Sequence, residues 1–340
     1  MKWSDIKRKN RMILYVRRLK RSMTASFKKK VKNTANEYCK YVPEVERKQL
    51  IHEMYSFFRK YGAIPDAYED FRLYGKSKGE IQDYMFPEER VRIFAVGKKN
   101  RFPKDKYSRY QLFRDFFHRE VIKVDSAADE EKYARFIADK ERFMAKPIEG
   151  DRGFGVMAVE KEQAPDFSQF MKIFQLPALL EEFIRQGKEL AAFHPSSINT
   201  VRLLTAINKK KEPVVVYSLF RCGQGKSVVD NVGSGGMIML IDPDTGRICT
   251  DALYQHKYYD KHPDTGLVFQ GTQFPEWKSL IDTALRAHRT HKDQVLIGWD
   301  FSWTESGWEM VEANPSPSFA SWQTLSGTGI RPRLKNLGIL

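Results

Sequence analysis

Residues 298–317, GWDFSWTESGWEMVEANPSP, constrain the fold more than any other stretch of the chain. Aromatic and apolar runs around Trp299–Trp303 and Trp308–Val311 flank Thr304-Glu305-Ser306-Gly307, which is the pattern of a β-hairpin. A three-residue loop, Glu305–Gly307, with glycine in the left-handed position is the expected turn. That register sets Thr304 opposite Trp308, Phe301 opposite Val311 and Asp300 opposite Glu312. Asn314, two residues on, shares the face of Glu312. Two carboxylates and an amide oxygen are hard ligands, suited to Mg2+ or Mn2+ rather than zinc. The competing reading is a solvated hairpin whose charges merely face water.

The 340 residues can hold two or three subdomains, and 41% hydrophobic with 13% aromatic residues marks a folded chain. Cys39, Cys222 and Cys249 are scattered and odd in number, which points to a reducing cytosol rather than a disulfide framework. The longest apolar run near the N-terminus, MILYV at 12–16, is too short for a signal-peptide core or a membrane span. The net charge of +15 is uneven: residues 1–40 carry 14 Lys or Arg against Asp5 and Glu37, a local net of +12. Ile6, Ile13, Leu14, Val16 and Leu19 fall between these cations, as in a cationic, imperfectly amphipathic helix. Packing of its apolar stripe on the protein body is one reading; an anionic membrane surface, at the inner face of the membrane, is a candidate partner, and nucleic acid a weaker one.

Four regions are expected: a basic helical extension (1–62), an α/β region punctuated by Pro65, Gly75, Gly79, Pro87 and Pro103 and irregular over 63–105 (63–140), a smaller subdomain (141–190) and a larger one (191–340). Helical spacing is read over 44–62, 108–117, 125–140 and 275–291. Between and after these lie the strand-like segments EVIKV, RFMAKP, GVMAVE, ALLEEFI, TVRLLTAIN, PVVVYSLFRC and GMIMLID. The fold class is therefore α+β with largely antiparallel sheets.

Three further stretches carry chemistry. FMAKPIEGDRGFGVMAV (143–159) ends a strand on Lys146 and continues through Gly150, Gly153 and Gly155, so backbone N–H groups could approach phosphate oxygens. LLEEFIRQGKEL (179–190) is an apolar strand running into acidic residues, suited to an adenine edge and a ribose. SSINTVRLLTAI (196–207) sets the lone Arg202 in an apolar strand, where a phosphate or an internal carboxylate would match its fork.

Taken in order, this set resembles the ATP-grasp superfamily. HPSSINTVRLLT, VVDNVGSGG, KHPDTGLVFQGTQFPEW and GWDF…EMVEANPSP resemble its sugar-transfer-associated group, which is related to glutamate-ligase-type carboxylate–amine ligases. The resemblance covers about residues 85–340. It implies an ATP-grasp fold, two α+β subdomains clasping ATP, and the cofactors ATP and Mg2+ (or Mn2+). Lys146 and Lys106 match phosphate-binding lysines, with Lys99 and Lys104 close to the second of these. Gly153 and Gly155 belong to the phosphate loop, Glu181, Phe183 and Ile184 to the adenine hinge, and Glu189 to the ribose. Arg202 matches the residue holding the γ-phosphate and the forming acyl phosphate. Asp300, Glu312 and Asn314 match metal ligands.

Asp230, Asn231 and Gly235, with Arg331 and Arg333, are read as the substrate side, along with His194, His256 and His262. The activity implied is ADP-forming amide ligation of small-molecule or glycan-linked carboxylates and amines. A kinase, or a membrane- or nucleic-acid-docking protein with a vestigial ATP site, is the alternative.

Overall fold

The structure is a computed structural model. It describes the chain except residues 1–2, 43–44, 95–101, 104, 149–154, 175, 226 and 228–234; for 3–11 and 41 it describes the backbone alone. The chain divides into two compact units. One comprises Met1–Ala95 with Ser318–Asn336 and Leu340, the other Val96–Pro317 with Leu337–Ile339.

The first unit opens with α1 (Trp3–Ser22) and α2 (Ala25–Tyr41). The basic segment is thus two helices, not one. Thr24 ends the first by capping the second, its hydroxyl accepting from the Phe27 N–H at 3.3 Å. Phe27, Val31, Ala35 and Tyr38 recur at helical spacing on α2 and are buried with Leu50, Met54 and Phe58 of α3 (Arg47–Tyr61). Gly62, at φ +76°, stops α3 in the left-handed conformation.

The stretch read as irregular from 63 to 105 instead holds α4 (Pro65–Asp70), α5 (Lys78–Asp83) and α6 (Pro87–Phe94). Pro65 and Pro87 are not breakers here. Each is the first residue of a helix, where the missing N–H has no partner to lose. Ser77 and Glu80 close a capping box on α5.

The second unit begins with α7 (Lys106–Leu112), β1 (Val121–Val124), α8 (Glu130–Ala138), β2 (Arg142–Pro147), β3 (Met157–Glu160), α9 (Phe167–Ile173), β4 (Ala178–Glu182) and α10 (Lys188–Ala191). Its strands form an antiparallel sheet in the order β1-β4-β2-β3. Phe143, Ala145 and Leu180 of this sheet are buried with Tyr133 and Phe136 of α8 and Phe167 and Phe170 of α9.

A second sheet follows: β5 (Thr200–Ile207), β6 (Pro213–Cys222), β7 (Met237–Ile241), β8 (Ala252–Tyr254), β9 (Lys257–Tyr259) and, after α11 (Trp277–Thr290), β10 (Leu296–Thr304) and β11 (Gly307–Asn314). Its order is β11-β10-β5-β6-β7-β8-β9, again antiparallel. Leu280, Ala284 and Ala287 of α11 share its core with Leu203, Phe220, Ile297 and Trp299. The fold class is α+β, as the sequence reads. Helices α12 (Ala320–Ser326) and α13 (Arg331–Asn336) belong to the first unit.

The β10–β11 hairpin corrects the expected turn. Thr304 pairs with Gly307, so the loop is the two residues Glu305 and Ser306. The Thr304 hydroxyl donates to the Gly307 carbonyl at 2.8 Å and accepts from the Ser306 N–H at 3.2 Å, closing that shorter turn. Phe301 accordingly faces Met310, not Val311. A one-residue slip would by itself turn Glu312 to the other face. A bulge between Asp300 and Phe301 leaves Val311 as the extra residue of β11, and Asp300 faces Glu312 after all.

Candidate functional site

Two lysines come together at the end of β2. The Lys146 ammonium pairs with the Glu181 carboxylate on neighbouring β4. Lys106, the first residue of α7, donates through Nζ to the Pro147 carbonyl at 3.2 Å and through its N–H to Ile148 at 3.4 Å. Asp105 caps that helix by accepting from the Ser108 N–H at 2.8 Å. Gly155 follows at φ +74°, and a Cβ there would stand 2.9 Å from the Pro147 ring, so only glycine suits the position. Gly150, Gly153, Lys99 and Lys104 lie outside the described residues.

Phe183 and Ile184, half-buried, leave the end of β4, and the Arg142 guanidinium covers the Phe183 ring at 4.1 Å. Glu189 in α10 is exposed and accepts from the Trp303 indole N–H at 2.9 Å, which ties it to β10.

A residue outside the expected set, Arg119, joins the two sheets of this unit. It is buried, donating through Nη2 to Glu181 at 2.9 Å and to the Val311 carbonyl at 3.0 Å, and through Nη1 to Glu309 at 2.6 Å and to the Met310 carbonyl. Arg119 therefore grips the bulge that turns Glu312 toward Asp300. Burial alone would raise the Glu181 carboxyl, but Lys146 and Arg119 outweigh it and hold it at about 2.

On the second sheet Arg202 lies across from Asp300, and Asp300 across from Glu312. Asp300 is almost fully buried and accepts two bonds from Arg202, at 2.6 and 2.5 Å. Arg221 of β6 approaches it at 3.1 Å, and the Asn314 amide donates to it at 3.3 Å. Arg221 is itself oriented by bonds of 3.0 and 2.6 Å to the Thr200 hydroxyl. Glu312 is half-exposed and pairs with Arg109 of α7 at 3.5 Å.

Asp300, Glu312 and Asn314 thus present two carboxylates and an amide on one face, a donor set of the size Mg2+ takes from a protein. Among the described residues no group of three or more His, Cys, Asp or Glu is placed to hold a metal ion. The carboxylates fit a hard cation that brings its remaining ligands with it, and here they face the guanidinium groups of Arg202, Arg221 and Arg109.

The substrate-side residues are less gathered. Asp230 and Asn231 lie outside the described residues. Gly235, at φ +103°, accepts at its carbonyl from the Gln224 amide at 3.0 Å. Arg331 is paired with Glu89 inside the first unit, and Arg333 lies on the same helix, so both fall in a different unit from the candidate ATP residues. His256, at φ +64°, is the second residue of the two-residue β8–β9 turn. His194 and His262 are buried and hold the carbonyls of Gly225 and Gly223 at 3.1 and 2.9 Å, so both brace the loop after β6.

Sequence reasoning missed Arg119, Arg221 and Arg109. Arg221 carries the same signal as Arg202, a lone cation in an apolar strand. Arg109 lies one helical turn from Lys106. Arg119 sits in the link before β1, where no local pattern marks it.

Residues 101–338 match the sequence model of the family described as sugar-transfer associated ATP-grasp. No curated protein matches the chain in sequence. Similar solved structures include the D-Ala:D-Ser ligase VanG from Enterococcus faecalis (13% identity, 69% of this chain and 61% of that one, TM-score 0.43). Others are the N5-carboxyaminoimidazole ribonucleotide synthetase from Thermotoga maritima (12%, 70% and 49%, 0.42) and the D-alanine-D-alanine ligase from Helicobacter pylori (13%, 69% and 57%, 0.41). The chain spans between 49% and 61% of the length of these three structures. With residues 101–338 inside the family's sequence model, the chain belongs to the sugar-transfer-associated ATP-grasp family.

Proposed function

We propose that the chain is an ATP-dependent carboxylate–amine ligase that forms an amide through an acyl phosphate and releases ADP and phosphate. The observation that carries the reading is the cross-strand row Arg202–Asp300–Glu312, a phosphate-matching fork beside hard oxygen donors on one sheet face. Family membership supports it.

In this reading Lys106 and Lys146 hold ATP phosphates near Gly153 and Gly155. The backbone at Glu181, Phe183 and Ile184 receives adenine, and Glu189 receives the ribose. A substrate carboxylate oxygen attacks the γ-phosphorus as the bond to the β–γ bridging oxygen breaks, and ADP leaves. The guanidinium of Arg202 and the ammonium of Lys146 offset the charge developing on the transferred group. An amine nitrogen then attacks the acyl carbon, loses a proton and expels phosphate. A divalent cation, Mg2+ in the first instance, would be held by Asp300, Glu312 and Asn314 and would neutralise phosphate oxygens. For these roles Lys146 exchanges Glu181, and Arg202 exchanges Asp300, for phosphate. The family's association with sugar transfer supports glycan-linked substrates, held by Asp230, Asn231 and Gly235.

Calorimetry with MgATP on the wild type, Lys146→Ala and Glu312→Ala tests the site. Tenfold or greater weakening is expected in the lysine variant, and loss of metal dependence in the glutamate variant. A wild type that ignores MgATP would sink the proposal. Candidate carboxylates with hydroxylamine as the amine then separate the chemistries. Hydroxamate with free phosphate marks a ligase; a phosphorylated acceptor without free phosphate marks a kinase.

A further inference from the structure

The described part of helix α1, from Met12 on, turns an apolar arc outward. An α-helix turns about 100° per residue, so Tyr15, Met12, Val16 and Ile13 line an arc of roughly 160°. All four point outward, at 46%, 65%, 41% and 41% exposure, and Met23 just beyond the helix is 64% exposed. Among the described side chains of α1, Arg18 and Ser22 make polar contacts to the rest of the first unit, with Leu14 half-buried one turn before Arg18. Arg18 donates to Glu88 and to the Lys60 carbonyl, both at 2.9 Å, and the buried Ser22 hydroxyl accepts from Arg59 at 3.2 Å. A helix that docks through its polar residues and shows its apolar arc to water has that arc left over for something else.

The charges around the arc say what. Exposed Lys20 lies within it and exposed Arg17 on its flank; farther along the chain α2 carries exposed Lys28, Lys29 and Lys32. With a net of +12 over residues 1–40, a second copy of this surface would be repelled. A nucleic acid would engage the cations but set phosphates against Met12 and Val16. Anionic lipid satisfies both halves, since headgroups meet the cations while the apolar arc enters the acyl boundary.

We propose that α1, with the cationic flank of α2, docks the protein on an anionic lipid surface, lying in the interface with Met12, Ile13, Tyr15 and Val16 inserted. Among the described residues no helix is long and apolar enough to cross a membrane, so this is attachment, not spanning. The inference is independent of the ligase reading.

The test is co-sedimentation of the full chain with vesicles of phosphatidylcholine alone or mixed with phosphatidylglycerol. The variants are Met12→Asp/Val16→Asp and Arg17→Gln/Lys20→Gln, all at exposed positions, with unchanged circular dichroism required of each. The wild type is expected to bind only the mixed vesicles, and less at high salt. The aspartate pair is expected to lower partitioning at least tenfold. The glutamine pair is expected to lower it about thirtyfold, from about 1 kcal/mol per cation at such a surface. Equal binding to neutral vesicles, no binding to mixed ones, or full binding by the aspartate pair overturns the proposal. A dimer by light scattering that Val16→Asp dissociates would give the face to a second copy instead. Duplex DNA binding that the aspartate pair leaves intact, without lipid binding, would give it to nucleic acid.

Discussion

Arg202 and Asp300 lie opposite one another on β5 and β10 and close a two-pronged ion pair, Nε to Oδ1 at 2.6 Å and Nη2 to Oδ2 at 2.5 Å. Burial opposes both charges, but the pairing outweighs it. The Asp300 carboxyl lies below, and the Arg202 guanidinium above, its usual range. The group suited to phosphate and the group suited to a cation therefore neutralise each other.

A cation arriving alone would have to strip Asp300 of Arg202 and Arg221, and a phosphate arriving alone would have to strip Arg202 of Asp300. Arriving together, each releases the partner the other needs. Mn2+ alone is therefore expected to bind at least tenfold more weakly than Mn2+ in the presence of ADP, a coupling of about 1.4 kcal/mol or more. Electron paramagnetic resonance of free Mn2+ reads this directly. Equal Mn2+ affinity with and without nucleotide would remove the coupling.

Asp300→Ala leaves two guanidinium groups without their carboxylate. Arg202 keeps some access to solvent, so the expected loss of stability is about 3 kcal/mol, the lower end for a broken buried pair. Urea denaturation measures it. Combining it with Arg202→Met should cost less than the two single changes added, because each single change strands the other's charge. Strict additivity would mean the pair contributes nothing.

Arg119 is the tie between the sheets. Arg119→Met takes a buried partner from Glu181, which keeps Lys146, and from Glu309, which keeps the His118 N–H, and is expected to cost about 3 kcal/mol. Glu181 supplies a pH signature. Its carboxyl is lowered from near 4.5 to about 2, so its contribution is complete above pH 4.5 and fades as pH falls toward 2. That contribution is on the order of 3 kcal/mol. In Arg119→Met only Lys146 remains to hold Glu181 down, so its carboxyl is less depressed and the stability lost on acidification from pH 7 to pH 3 should be smaller than in the wild type. Urea midpoints at pH 7 and pH 3 that fall by the same amount in both proteins would refute the assignment.

Much of this architecture was legible because it is local. Strand patterns gave every strand of the first sheet and all but the three-residue β8 and β9 of the second, and helical spacing gave α3, α8 and α11. What escaped was non-local or depended on one atom. The Thr304 hydroxyl shortened the turn, and the bulge at Val311 undid the shift, so the Asp300–Glu312 pairing was read correctly from a wrong register. Pro65 and Pro87 looked like stops because sequence alone does not show whether a proline ends one element or begins the next. Arg119 was invisible, since its four partners lie on strands 62 to 192 residues away. Arg331, read as substrate-side, pairs instead with Glu89, 242 residues earlier.

Beneath the Asp300 face, His288 of α11 is kept neutral by burial and sits in a chain of hydrogen bonds. The Trp299 indole N–H donates to the Thr205 hydroxyl at 2.8 Å, that hydroxyl donates to His288 Nδ1 at 2.6 Å, and Nε2–H donates to the Gln294 carbonyl at 2.7 Å. This order satisfies every member only when Nδ1 carries no proton. Burial, above all, lowers the imidazole from near 6.5 to about 4. The unfolded chain therefore takes up a proton that the folded one refuses. Stability is complete above pH 6.5 and falls as pH drops toward 4, by about 2 kcal/mol between pH 7 and pH 5. Urea denaturation at those two values reads the loss, and His288→Gln should flatten the slope while lowering stability at pH 7. A variant with the wild-type slope would show that another group titrates in that range, and that His288 is protonated alike in both states.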